Sequence, residues 1–133
     1  MFNYCNRTFN VDLSNFNTEN VKNMKNLFYH CDFLLSVNLA NLKTDKVEDM
    51  SHMFEMCKNL TILDLGNFNT TNVMDMQYMF SGTRQLVDLK HNFNTEKATN
   101  MAFLFNGNKK LTSLDLSNFE TSKVVSMNKM FNG

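Results

Sequence analysis

The stretch LTILDLGNFNTTNVMDMQYMF (residues 60–80) contains the unit from which we predict the fold of the whole chain. Leu63 and Leu65 are two residues apart, a spacing that sends both side chains to one face of a strand. A polar bend around Asn67 follows. The apolar residues that come next recur at i, i+3, i+6 and i+7, as on one side of a helix: Val73, Met76, Met79 and Phe80. Thr70 stands just ahead of them, where it is predicted to cap a short helix.

Near copies of this stretch recur along the chain. DLSNFNTENV (12–21), DLGNFNTTNV (64–73) and DLSNFETSKV (115–124) are almost the same phrase. Aligning the chain with itself predicts a single domain over 1–133, with no evident dedicated caps, made of five repeats: 2–27, 28–53, 54–79, 80–104 and 105–130. The fourth repeat is one residue short, in or beside its strand. One repeat cannot close a core, so neighbours must pack together. The expected fold is an α/β repeat solenoid of five stacked strand–bend–short-helix units, with a parallel sheet on one face.

The unusual composition follows the repeat. The chain has 13 Phe and 11 Met but no Pro and only 4 Gly, and most of the Phe and Met fall at equivalent repeat positions. Large residues at equivalent positions predict ladders that run through the core. The predicted structural ladders are Phe16, Phe68, Phe93 and Phe119; Phe28, Phe54, Phe80 and Phe105; Met24, Met50, Met76, Met101 and Met127; and Cys5, Cys31 and Cys57.

The repeated motif also resembles a known family. The unit MF-x-x-C-x-x-L-x-x-LDLSNFNT-x-x-V-x-x-M-x-x-M resembles the leucine-rich repeat of BspA-like surface proteins. It is most similar to the variant, roughly 25 residues long, of mycoplasma surface lipoproteins. The resemblance covers residues 1–131. It implies a leucine-rich-repeat-like solenoid, a role in surface adhesion or interaction, and no enzymatic activity.

The charge balance and the hydropathy of the chain limit the classes of partner that we expect. Thirteen basic and 13 acidic residues give no net positive charge, which argues against a nucleic-acid partner. No run approaches 18 apolar residues, so we expect no membrane insertion in this segment. The N-terminus shows no signal peptide, and a cell-surface or extracellular location is implied by the resemblance only. No nucleophile elbow, phosphate loop or triad spacing is visible, so neither catalysis nor a cofactor is expected.

The cysteine column leaves alternatives open. Cys5, Cys31 and Cys57 share one repeat position, and adjacent strands lie close enough for a disulfide or a thiolate metal site. The favoured interpretation is a column of buried free thiols, because free Cys is among the most buried residue types. The three histidines fall at three different repeat positions, which disfavours a zinc site.

The outward positions of the predicted strands form the candidate ligand face. By alternation these are small and polar: Asn10, Asp12, Ser14, Ser36, Asn38, Ile62, Asp64, Asp88, Lys90, Ser113, Asp115 and Ser117. Such a face suits a polar ligand, a sugar or a basic peptide. It is equally explained as a solvated face whose charges favour solubility.

Three functions therefore remain open. The first is a non-enzymatic interaction or adhesion module that binds a protein or glycan partner. The second is a structural repeat that self-assembles end to end into a filament or larger array, because uncapped ends are complementary. The third is an intracellular protein–protein interaction repeat.

Overall fold

Four short strands form within the residues that the structure describes. A computed structural model describes residues 2–5, 7 and 9–133. Its strands are β1 (Phe9–Asp12), β2 (Leu34–Asn38), β3 (Ile62–Leu65) and β4 (Asp88–His91). β1 pairs with β2 and β3 pairs with β4, both in parallel, so two separate two-stranded sheets form. The strands occupy equivalent places in the first four repeats.

Side-chain alternation decides what each strand buries. In β3, Leu63 and Leu65 are buried while Ile62 and Asp64 are exposed. Period-2 alternation of this kind packs one face of a strand on the core and leaves the other in water. The outward face of the strands is therefore a continuous candidate surface within each sheet.

The predicted helices are replaced by consecutive β-turns. Over residues 76–83, the Met79 amide donates to the Met76 carbonyl, Ser81 to Tyr78, and Thr83 to Phe80, all within 3.3 Å. Two repeat positions have positive φ in every repeat: Asn26, His52, Tyr78, Phe103 and Lys129; and Tyr4, His30, Met56, Gly82, Gly107 and Gly133. An α-helix requires φ near −63° throughout, so a left-handed residue every four positions excludes it.

The same turns connect neighbouring repeats. The amides of Met50 and His52 each donate to a carbonyl of the next repeat at 2.9–3.0 Å. Isolated parallel bridges continue this pairing along the chain: Asn23 to Asp49, Asp49 to Asp75, Asp75 to Asn100, and Asn100 to Ser126. Because alternate amides are engaged with the following repeat, they cannot form helical i→i−4 bonds.

The predicted fold class is therefore wrong. No helix occurs within residues 2–5, 7 and 9–133, and the expected α/β solenoid of five strand–bend–short-helix units with one parallel sheet is not found. Four strands form instead of five, and they split into two sheets. The threonine column has a different role as well, because there is no helix for Thr70 to cap.

Threonine hydroxyls join consecutive repeats. The Thr70 hydroxyl donates to the Asn94 carbonyl at 2.8 Å and accepts from the Asn94 amide at 2.9 Å. Thr18, Thr44 and Thr95 make the same two-way contact with the next repeat. Thr44, Thr70 and Thr95 are buried. A buried hydroxyl that both donates and accepts satisfies a backbone amide and a carbonyl at once.

Six phenylalanine rings stack through the centre of the molecule. The rings of Phe2, Phe28, Phe54, Phe80, Phe105 and Phe131 follow one another with centroid separations of 5.4–6.0 Å and interplanar angles of 4–13°. Phe28, Phe54 and Phe80 are completely buried, whereas Phe131 is 58% exposed. This stack places consecutive repeats at a fixed separation and holds the strands in register.

Candidate functional site

Strand pairing brings residues of the candidate ligand face together in pairs. In the first sheet Asn10 lies beside Ser36 and Asp12 beside Asn38. In the second sheet Ile62 lies beside Asp88 and Asp64 beside Lys90. The Ser36 hydroxyl donates to Asn10 Oδ1 at 2.8 Å, and Lys90 Nζ lies 3.0 Å from Asp64 Oδ2. The face is thus a network of polar pairs that cross between repeats.

The aspartates of this face are engaged with their own backbone. Asp12, Asp64 and Asp115 each accept a hydrogen bond at 2.8–2.9 Å from the amide two residues further on. Their hydrogen bonds with Ser14, Gly66 and Ser117 respectively lower the carboxyl pKa below its usual value. Hydrogen bonds to a carboxylate favour its charged form, so this column stays ionised. Each carboxylate keeps free lone pairs that face solvent.

Two grooves open on the strand face. The first, of about 450 Å³, lies between residues 37–40 and 64–67, with Lys90 at its side. It lies where β2 and β3 belong to different sheets. The second, of about 460 Å³, lies between residues 88–91 and 113–115. The fifth repeat forms no strand at 113–115, so both grooves lie where strand pairing is interrupted.

Three exposed aliphatic residues, called the aliphatic patch below, lie in or next to strands β2, β3 and β4, and only Ile62 is predicted from the sequence to lie on the ligand face. Leu35, Ile62 and Val87 are 43%, 61% and 49% exposed. Ile62 was assigned to the ligand face, whereas Leu35 and Val87 were not. Leu35 lies in β2 and Val87 directly precedes β4, and each stands one position before an outward residue, where β-alternation predicts an inward side chain.

A comparison with known protein families identifies the family of this chain. The family described as "Mycoplasma protein of unknown function, DUF285" matches residues 1–111 and again residues 56–133. The chain belongs to this family. The match confirms the resemblance to mycoplasma repeat proteins. No curated protein and no solved structure matches the chain.

Most of the candidate ligand face of this DUF285 chain is exposed. Eleven of the twelve predicted residues are exposed: Asn10, Asp12, Ser36, Asn38, Ile62, Asp64, Asp88, Lys90, Ser113, Asp115 and Ser117. Ser14 is half-buried at the end of β1. Ser113, Asp115 and Ser117 lie in the fifth repeat, outside any strand, and contribute to the second groove through residues 113 and 115.

The ladder positions of this DUF285 chain differ in burial along the array. Met24, Met50, Met76 and Met101 are buried, whereas Met127 is 47% exposed. Phe68 and Phe93 are buried, Phe119 is half-buried and Phe16 is 46% exposed. Phe93 lies against Phe80, with centroids 6.2 Å apart, instead of stacking on Phe68. Repeats at the two ends therefore cover their ladder residues less completely than the middle repeats.

The cysteine column consists of free thiols in the part of the chain that the structure describes. Cys31 and Cys57 are buried, and Cys5 is half-buried. Cys5 and Cys31 both donate to the Phe2 carbonyl, and Cys57 donates to the Phe28 carbonyl. Burial raises the pKa of Cys31 to about 12 and raises that of Cys57. Protonated thiols in this position act as weak hydrogen-bond donors between repeats.

Neither a metal-binding cluster nor a membrane-spanning helix is found in the described residues of this DUF285 chain. Within 2–5, 7 and 9–133, no group of three or more His, Cys, Asp or Glu side chains is arranged to hold a metal ion. No helix in these ranges is long and apolar enough to cross a bilayer. The strand face therefore remains the candidate site.

Proposed function

We propose that this chain is a non-enzymatic interaction module that binds a partner protein or glycan through its strand face, at a cell surface or outside the cell. The observation that carries the proposal is the pair of grooves on this face, whose walls come from two repeats each. Polar side chains that converge from both walls are what a specific ligand needs. The resemblance to BspA-like surface proteins supports the surface location and the role in adhesion.

Among the two partner classes, the aliphatic patch favours a protein. Leu35, Ile62 and Val87 place exposed apolar area beside the charged pair of Asp64 and Lys90. Protein interfaces combine an apolar centre with a polar rim in this way. A glycan would use the hydroxyls and carboxylates of the grooves and would leave the aliphatic patch uncovered.

The proposal is tested by binding of the fluorescently labelled chain to a panel of intact cells. Ile62→Asp places a charge at the centre of the patch and is expected to weaken saturable binding at least about tenfold. The matched control is Val125→Asp, because Val125 is 88% exposed, lies outside the strand face, and tolerates the same change. Loss of binding after protease treatment of the cells identifies a protein partner, and loss after glycosidase treatment a glycan. Equal binding by both variants would contradict a role for the strand face.

The alternative of end-to-end assembly is tested by light scattering behind size exclusion, from low to high micromolar protein. A constant mass near 15.5 kDa supports a module that acts through its face. Growth into large regular species would instead support a structural array, since contacts between unlike ends do not close on themselves.

A further inference from the structure

One core position of the repeat carries a histidine in the fourth repeat only. The equivalent residue in the other repeats is a leucine: Leu13, Leu39, Leu65 and Leu116. His91 ends β4 and lies beside Leu65 of β3. Leu39 and Leu65 are buried. The substitution coincides with the single-residue deletion of the fourth repeat, so this repeat departs from the pattern at the point where it meets the fifth.

The imidazole is packed between two repeats without polar partners. Both Nδ1 and Nε2 of His91 are buried and have no hydrogen-bond partner. The ring centroid lies 4.8 Å from that of Phe93, in the same repeat, and 6.1 Å from that of Phe119 in the fifth repeat. This side chain therefore fills an apolar contact across the junction of the fourth and fifth repeats. The side chain as a whole is half-buried and lines the groove, but both ring nitrogens are buried, so the closed state favours the neutral imidazole.

The charged groups around His91 are few. From the fifth repeat, Asp115 acts to raise the pKa of His91, but burial has the larger effect and lowers it. The Asp115 carboxylate is already bonded to the Ser117 amide. On β4, Asp88 lines the same groove, and Lys90 is paired with Asp64 of β3.

Strand pairing does not reinforce this junction. Residues 111–117 form no strand beside β4, and the groove of about 460 Å³ separates 88–91 from 113–115. Along this edge the fifth repeat is held by side chains, among them the His91 and Phe119 contact. We therefore expect a change in the charge of the His91 side chain to affect whether the fourth and fifth repeats stay in contact along this edge.

We propose that His91 is an acid-sensitive latch that releases residues 111–119 of the fifth repeat from β4. When the imidazole gains a proton, its ring nitrogens need a polar partner, and neither nitrogen has one in the closed state. Separation of residues 111–119 from β4 exposes both nitrogens to water. Because the closed state favours the neutral ring, its contribution to stability is complete above pH about 6.5 and is lost as the pH falls below this value.

Hydrogen exchange at two backbone amides tests the latch in the intact chain. The Glu120 amide is bonded to Thr95 Oγ1 at 2.7 Å, across the junction of repeats four and five. The Asn69 amide makes the same bond to Thr44 Oγ1 at 2.8 Å, across repeats two and three. After correction for intrinsic exchange, the opening constant at Glu120 should rise by up to about tenfold per pH unit below pH 6.5, since one proton is taken up. The constant at Asn69 should stay unchanged.

Two variants separate the latch from general acid sensitivity. His91→Leu restores the residue of the other repeats and should make the Glu120 amide insensitive to pH. His52→Gln removes a histidine that is bonded to Glu55, away from the junction, and should behave as wild type. An unchanged acid response in His91→Leu, or equal loss of protection at both amides, would overturn the proposal. A direct NMR titration of wild-type His91 that gives a pKa at or above 6.5 would overturn it as well.

Discussion

Replacement of Thr70 by Val removes one hydroxyl from the junction between the third and fourth repeats and keeps the shape of the side chain. That hydroxyl donates to the Asn94 carbonyl at 2.8 Å and accepts from the Asn94 amide at 2.9 Å, and Thr70 is 1% exposed. Valine leaves both backbone groups without this partner. Each unsatisfied group costs about 1–3 kcal/mol. We therefore expect Thr70→Val to lower the free energy of unfolding by about 2–4 kcal/mol.

Urea denaturation followed by circular dichroism measures this change. With a slope of about 2 kcal/mol per molar urea, the midpoint should fall by about 1–2 M. Thr121 provides the matched control because it holds the same repeat position in the fifth repeat, is exposed, and has no hydroxyl hydrogen bond within the described residues. Thr121→Val should change the stability by less than about 0.5 kcal/mol.

A second variant separates the hydroxyl from the methyl group. Thr70→Ser keeps the donor and acceptor and loses one buried methyl, which costs about 1 kcal/mol. The expected order of stability is wild type, then Thr70→Ser, then Thr70→Val. If Thr70→Val proved as stable as Thr121→Val, the threonine column would not be a significant contact between repeats, and the argument from its hydrogen bonds would be refuted.

Two further predictions concern the core. Phe54→Ala empties a position between two rings of the phenylalanine stack and should lower the free energy of unfolding by about 3–5 kcal/mol in the same urea assay. Phe131→Ala, at the exposed end of the stack, should lower it by less than about 1 kcal/mol. Equal losses of stability would mean that the stack does not form the core. At pH 8, Ellman's reagent should modify Cys5 first and leave Cys31 and Cys57 unreacted in the folded protein, because burial raises the pKa of both thiols; simultaneous modification of all three would show that the column is open to solvent.

The repeat period and the inward face of the strands were accessible from the sequence, but the helices were not. Val73, Met76 and Met79 are all buried, as a helical stripe would require. Consecutive β-turns with i→i−3 hydrogen bonds bury residues at the same spacing, so the pattern fits both structures. The signal that distinguishes them is the recurrence of Gly82 and Gly107 at one repeat position, since glycine favours positive φ. At Gly82 a Cβ would also meet Met56 Sδ at 2.5 Å.

Only part of the candidate ligand face could be predicted from the sequence. Alternation identified residues that are exposed, because the side-chain period of a strand is two. It did not show that Asp12 and Asp64 bond to their own backbone, since this depends on the turn that ends each strand. The interruption between β2 and β3, and hence the first groove, depends on small differences in backbone path between repeats. Nothing in a repeated pattern of residues encodes such differences.

Under the proposed function, the contrast between constant and variable repeat positions indicates where specificity for a partner would reside. The threonines equivalent to Thr70 and the phenylalanines equivalent to Phe54 recur because each one contacts the next repeat, and such a contact constrains the residue. The outward strand position has no such constraint, and its residues differ in size and charge: Asn10, Ser36, Ile62, Asp88 and Ser113. All five are exposed, so their identity contributes little to packing. The neighbouring columns fix the backbone of this surface, while its side chains vary. Such a surface can change its partner without changing its fold.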